Sequence, residues 1–237
     1  MAVLFLLAGM IGCAAPGARQ APEPAPRAEN GEPVWQRVRF RIRWDRANAP
    51  RWHIDALLAH RVAAPALERE RNALALWRFH RRAADDATGH AFGTLTFAAP
   101  AVNARLCRSI ESDRLVAALI AGGVLERVEC GGFGPDKGGL VEATSDPRWS
   151  PELQRSWPYF IMGASQTWLR LIDEYARQAP PAGAPQSLDE NLALYEQVDR
   201  SVTRTWQKEG HHAFLHHLNA LFGYAPIDVG EASPRRF

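Results

Sequence analysis

Long apolar runs, lysine and signature motifs of catalysis are what this chain has least of. Its apolar opening, Met1–Gly12, carries no charge but falls well short of the roughly 20 residues that a bilayer core requires, which excludes a spanning helix there. Among 28 basic residues only Lys137 and Lys208 are lysine, so the positive charge is almost wholly guanidinium. The net charge of +2 is too small for a nucleic-acid binder. The glycine-rich run GGFGPDKGG (131–139) departs from the G-x-x-x-x-G-K-[ST] pattern of a phosphate-binding P-loop, so it reads as a flexible loop. No internal repeat is present, and no cofactor is expected. What the chain does have is 46 % hydrophobic residues and eight tryptophans, enough for a substantial core in 237 residues.

The clearest local signal is RVRFRIRW (37–44). Val38, Phe40, Ile42 and Trp44 alternate with Arg37, Arg39, Arg41 and Arg43, the period-two pattern of a strand with one buried and one guanidinium-bearing face. Helical spacing of Trp52, Leu57, Leu58 and Val62 predicts a helix over 51–64, which Pro65 interrupts or kinks. Two further strands, 73–81 and 90–97, flank the turn-prone DDATG. Pro100 opens a helix over 101–121 that Gly122-Gly123 end, and VLERVEC (124–130) reads as a fourth strand. Strand, helix, strand, strand, helix, strand is the order of a ferredoxin-like split unit. Helices follow from Ser150 to about Gln178, with a kink at Pro158, and from Ser187 to Tyr224. Ser187 with Glu190 forms a capping box, Gly210 marks a break, and Gly223 caps the end. The expected class is α+β: a ferredoxin-like split β-α-β sheet packed against a helical C-terminal region.

Met10-Ile11-Gly12-Cys13 resembles a bacterial lipobox, in which the cysteine is lipidated and becomes the first residue of the mature chain. With no Lys or Arg before the apolar run, the expected start lies upstream of Met1. The Pro/Ala-rich stretch that follows has too little apolar surface to offset its ordering entropy. The expected organisation is a signal peptide (1–12), a lipidated tether (13–33), a ferredoxin-like half (34–130), a glycine-rich loop (131–150), a helical half (151–224) and a tail (225–237). The resemblance implies a periplasmic location, on the outer membrane in view of Ala14, with the lipid bilayer as first partner and envelope proteins or a peptide as further ones. Cys107 and Cys130 then remain as a pair: either a disulfide closing a loop of about 24 residues and contributing ~3 kcal/mol, or two buried thiols.

The motifs LWRFHR, DDATG and HAFGTLTF, followed by GGVLERVECGGFGPDKGG and HHLNALFG, resemble the C-terminal elimination domain of lantibiotic dehydratases, the thiopeptide-type bacteriocin biosynthesis family. The similarity spans roughly 35–224. His90 aligns with the family's H-L-R-L-R-F strand, and His216 or His217, Asn219 and Gly223 echo its closing motif. Gly93 and Thr94 replace its basic residues, and Ala220 replaces its terminal Arg. The resemblance thus implies the fold and not the elimination activity.

Three candidate sites emerge. Arg37, Arg39, Arg41 and Arg43 suit anions such as phosphate, lipid A or peptide carboxylates; alternatively the C-terminal helices cover that face and pair it with Asp173, Glu174, Asp189 and Glu190. Glu209, His212 and His216 share one helix face at offsets of three and four, a spacing that suits zinc or a merely solvated face. The opposite face carries Phe214, Leu215, Leu218, Leu221 and Phe222, with His211 as a core or boundary histidine. WPYFIMGASQTWLRLIDEY has the density of a core helix, with Gly163, Ala164 and Ser165 allowing close approach; the alternative there is a ligand pocket. The expected role is non-enzymatic binding or assembly at the cell envelope. The alternative is a metal-dependent or His-assisted hydrolase or lyase acting on peptides through Glu209, His212 and His216 or through His90.

Overall fold

The computed structural model describes residues 31–134, 136–178 and 187–225. Cys13, the signal and most of the tether and tail lie outside the described residues. Four strands, β1 (Val34–Ile42), β2 (Leu74–Ala83), β3 (His90–Ala98) and β4 (Leu125–Gly132), form one sheet in the order β2-β3-β1-β4. Each neighbouring pair is antiparallel. Between β1 and β2 run α1 (Trp52–Leu58), a π turn (Ala59–Ala63) and α2 (Ala64–Arg69); between β3 and β4 run α3 (Pro100–Glu111) and α4 (Arg114–Ala121). This is the ferredoxin-like unit. The helical region follows, with α5 (Pro151–Gln178), α6 (Leu188–Gly210), a π turn (His211–His216) and α7 (His217–Leu221).

Several boundaries differ from expectation for identifiable reasons. The first helix does not stop at Pro65. The five-residue π turn before it widens the backbone where a proline would otherwise clash with the preceding turn, and the helix continues to Arg69. The helix expected over 101–121 is two, because the Asp113 side chain accepts the Leu115 N–H at 2.8 Å and starts α4. Arg43 and Trp44 lie beyond the end of β1. By contrast, the Ser187/Glu190 capping box forms, and Gly223 adopts φ +68° at the end of α7.

The main core lies on one face of the sheet. Val38, Phe40, Ile42, Phe79 and Phe92 pack against Ile54, Leu57 and Leu58 of α1, Leu106 and Ile110 of α3, Ile172 of α5 and Tyr195 and Val198 of α6. Cys107 of α3 and Cys130 of β4 lie at disulfide distance, with their Cα atoms 6.3 Å apart. A smaller cluster, Trp35, Leu76, Leu95 and Phe97, sits on the opposite face beneath Phe133, Val141, Ala143 and Met162. Trp35 Nε1 donates to Val141 O at 3.0 Å, and its backbone N–H donates to Gly138 O at 2.7 Å. The glycine-rich loop is therefore hydrogen-bonded down over one end of this face.

The C-terminal helices use fewer of their apolar residues than expected. In α5, Trp168 and Ile172 reach the core, while Tyr159, Phe160, Gly163 and Ala164 are exposed. Ser165 caps the edge of the sheet, its hydroxyl accepting the Phe79 N–H at 3.0 Å. Beyond Val202 the last helix carries Leu215, Leu221 and Phe222 into solvent, and His211 is exposed rather than a core or boundary residue. Among the described residues no other element packs over that stretch.

Candidate functional site: the basic face of the sheet

α6 and the Trp168 and Ile172 side chains of α5 pack on the core face, and Met162 of α5 reaches the far face only over the Trp35 cluster; among the described residues neither helix pairs with the arginines of β1. Register fixes the neighbours of those arginines. Arg37 lies across from Leu95 of β3, which lies across from Arg78 of β2. Two residues along, the row reads Arg39, Gly93, His80; two further, it reads Arg41, Ala91, Arg82. On the other side of β1, Arg39 faces Glu129 and Arg41 faces Arg127 of β4. Side chains of one face alternate along each strand, so all of these point away from the core. The result is a trough floored by Gly93 and Ala91 of β3, walled by basic side chains of β2 on one flank and β1 on the other.

Acidic partners are few and peripheral. Arg39 meets Glu129 at 3.5 Å, and Arg127 donates to Glu129 at 2.7 Å. Arg82 pairs with Asp86 in the turn after its own strand, and Arg41 donates to the Ala87 carbonyl at 2.7 Å. Arg37 stacks over the Phe133 ring, 5.7 Å from its centroid. Among the described residues, Arg78 reaches only the Thr144 carbonyl, at 3.3 Å, and its buried Nε has no partner. Arg43, the fourth guanidinium of the motif, lies just past the strand and is exposed.

The electrostatics follow from that imbalance. Burial alone pushes the Arg78 guanidinium down to about 10, with no carboxylate offsetting it. Burial and then the charge of Arg39 lower Arg37. The His80 side chain is exposed on the wall of the trough; partial desolvation and the charges of Arg78, Arg82, Arg37 and Arg39 lower it, so four guanidiniums bear on one imidazole. Burial would raise the Glu129 carboxyl, but its hydrogen bond from Arg127 and the charges of Arg127, Arg39 and Arg41 hold it low. Such a surface can accept anions with bidentate guanidinium contacts. Of its basic groups, reading β1 in isolation identifies the arginines of that strand and misses Arg78, His80, Arg82 and Arg127. The same alternation is present in WRFHRR, where Arg78, His80 and Arg82 are spaced by two.

The other candidates come out differently. Glu209, His212 and His216 are all exposed. Among the described residues, the one group of at least three His, Cys, Asp or Glu whose ligand atoms all lie within 4.8 Å of one another is Cys107, Glu111 and Cys130. The expected trio does not close into one ligand set, but two of its members do meet: in the π turn over 211–216 His212 lies against both His216 and His217, with ring centroids 5.3 and 5.4 Å apart.

His90 is 1 % exposed and lies on the core face, where Nε2 meets Asp55 Oδ1 at 3.0 Å. Asp55, fully buried in α1, also accepts from Arg81 Nε at 3.0 Å, and Arg81 lies between the rings of Trp52 and Trp168. No local pattern in the sequence announces this polar core network.

A cleft of about 660 Å³ opens between α2 and α5, with Leu74 and Trp77 among the residues that line it and His60 at one end. His60 Nδ1 lies 2.5 Å from the Tyr195 hydroxyl and Nε2 3.4 Å from Asp173, so both ring nitrogens face a partner. Burial lowers His60 despite the raising effect of Asp173, and burial raises the Tyr195 phenol.

Compared with known proteins, the chain matches no family model, no curated protein and no solved structure.

Proposed function

We propose that this protein is an envelope lipoprotein, anchored through Cys13 on the periplasmic side of a bacterial membrane, the outer membrane by its Ala14 signal, whose basic sheet face binds an anionic partner without catalysing its conversion. The observation that carries the reading is the trough over Gly93: guanidinium groups from two flanking strands bear on it, and among the described residues Glu129 and Asp86 pair with Arg39 and Arg82 while Arg37 and Arg78 have no direct carboxylate partner. Protein surfaces ordinarily interleave their charges, because repulsion of this kind costs stability. The lipobox-like Cys13 and the adjacent sulfurs of Cys107 and Cys130 support an oxidising, extracytoplasmic site for the domain.

The alternative, a hydrolase or lyase working through Glu209, His212 and His216 or through His90, has less support. Glu209, His212 and His216 do not close into one ligand set, although His212 and His216 lie side by side, and His90 is buried with Nε2 committed to Asp55.

Two measurements test the proposal. Cys13→Ser is expected to move the protein from the membrane fraction to the soluble one; unchanged membrane association contradicts the anchor. Calorimetric titration of that soluble full-length variant with a panel of dianions (phosphate, sulfate, succinate) is expected to show saturable binding that weakens with salt. Loss of that binding in Arg37→Gln/Arg39→Gln supports the face as the site; unaltered binding removes it.

A further inference from the structure

We propose that the trough over Gly93 is a discrete binding site for a phosphoryl-bearing ligand carrying at least two negative charges, with His80 and the guanidiniums of Arg37, Arg39, Arg78 and Arg82 as its donors. The inference rests on the anion-binding reading of this face and adds the chemical class of the ligand.

Geometry comes first. Arg78 and Arg82 rise from β2 and Arg37 and Arg39 from β1, on either side of β3. Two strand spacings separate those flanks, about 10 Å, a gap that long arginine stems close from both sides. Beneath them β3 contributes no side chain at Gly93. A Cβ built there meets only the Leu95 Cδ1 at 3.6 Å and the His80 Cβ and carbonyl oxygen at 3.7 Å, ordinary contact distances. Gly93 is itself buried beneath the flanking side chains, and nothing in the packing forces a glycine there. The loop over 141–144 closes one end, where Arg78 bonds to the Thr144 carbonyl. Arg78 also keeps a buried Nε with no partner, although the side-on guanidinium edge that includes Nε is a standard site for an anion oxygen.

The charge count selects the class. Facing His80 are Arg78 and Arg82 from its own strand and Arg37 and Arg39 from β1. The carboxylates in reach are Asp86, held by Arg82, and Glu129, shared by Arg39 and Arg127. Arg37 spends its guanidinium on an aromatic ring and Arg78 on a carbonyl, so neither is neutralised by direct pairing. A monocarboxylate offers one charge and two acceptor oxygens, too few for donors arriving from two flanks. A phosphoryl group supplies three or more oxygens and up to two charges, enough to accept from both flanks at once. Successive rows of the face recur every two residues, about 7 Å along the strand, so a second phosphoryl group can occupy the Arg41/Arg82 row. The same chemistry occurs in a free pyrophosphate and in the headgroup of an acidic phospholipid.

The test uses the full chain carrying Cys13→Ser, titrated with inorganic pyrophosphate and, separately, with succinate, while the His80 imidazole is followed by NMR across pH. Bound pyrophosphate is expected to raise the His80 pKa and to bind at least tenfold more tightly than succinate. Arg37→Gln is expected to weaken pyrophosphate about tenfold or more. Gly93→Val, which fills the floor without touching a charge, is expected to weaken it similarly. Arg200→Gln, on α6 across the core from this face and paired with Glu196, is expected to leave it within twofold. Sedimentation with phosphatidylcholine vesicles, with and without phosphatidic acid, separates the sources. Phosphatidate-dependent binding that Gly93→Val abolishes assigns the site to a lipid headgroup, and pyrophosphate binding without it assigns the site to a soluble phosphate. Equal affinity for succinate and pyrophosphate overturns the phosphoryl assignment while leaving an anion-binding face. Pyrophosphate binding that ignores Gly93→Val overturns the trough as a discrete site.

Discussion

Replacing Arg78 with methionine is expected to stabilise the protein, the opposite of what most substitutions at poorly exposed positions do. Burial lowers the Arg78 pKa from 12.5 to about 10, which penalises its charged form by roughly 3 kcal/mol. No carboxylate returns any of that, and the compensation visible is one 3.3 Å hydrogen bond to the Thr144 carbonyl, a net contribution of about 0.5–1.5 kcal/mol. The Arg78→Met side chain would retain most of the apolar stem that packs beside Leu95 while removing the cation and its orphaned Nε. The expected gain is therefore about 1.5–2.5 kcal/mol. Urea unfolding at pH 7 reads it: with a slope of about 2 kcal/mol/M the midpoint moves up by roughly 0.75–1.25 M. Anion binding by the same variant should fall. A variant destabilised by more than about 1 kcal/mol, with a slope unchanged from the parent, would refute the reasoning, because Arg78 would then be held by interactions that this account omits.

Other substitutions probe what holds the scaffold in place. Asp55→Ala leaves His90 and Arg81 without their shared buried acceptor and should cost about 3–5 kcal/mol; a loss below about 1 kcal/mol in chemical unfolding would mean that Asp199 and the flanking tryptophans suffice. Cys107→Ala/Cys130→Ala should cost about 3 kcal/mol, and reductant should lower the parent's unfolding midpoint comparably; indifference to reductant would indicate free thiols. The pH dependence has a definite sign. His53, His60 and His80 all have pKa values lowered on folding, the half-buried His53 and His60 chiefly by burial and the exposed His80 by partial desolvation and its arginine neighbours, so the unfolded chain binds more protons near pH 6 and stability should rise with pH through that window and fall on acidification below the ordinary histidine value of about 6.5. His80→Gln should flatten part of that slope at neutral-to-acidic pH, and an unchanged slope would remove His80 from the set.

How much of this is readable in the sequence depends on the range of each interaction. The alternation in RVRFRIRW fixes β1 and the direction of its arginines, because strand periodicity is local. The ferredoxin-like order is legible from the succession of elements and from Pro100, Gly122 and Gly123 as punctuation. The trough is not, because Arg37 and Arg78 become neighbours only once β3 is inserted between β1 and β2. Asp55 and Arg81 look like surface charges of a helix and a strand; they meet only in the folded chain, where Trp52 and Trp168 pack on the Arg81 guanidinium. The two π turns are equally hidden, since local spacing assumes about 3.6 residues per turn. That assumption groups Glu209 with His212 and His216.

Crystals of the full-length Cys13→Ser variant grown with tungstate, a heavy tetrahedral dianion, would locate the bound anion by its anomalous scattering. The account predicts one dominant peak above Gly93, within hydrogen-bonding reach of guanidiniums from both β1 and β2. Peaks confined to helix termini or to the exposed histidines of the last helix, with none on the sheet, would contradict it.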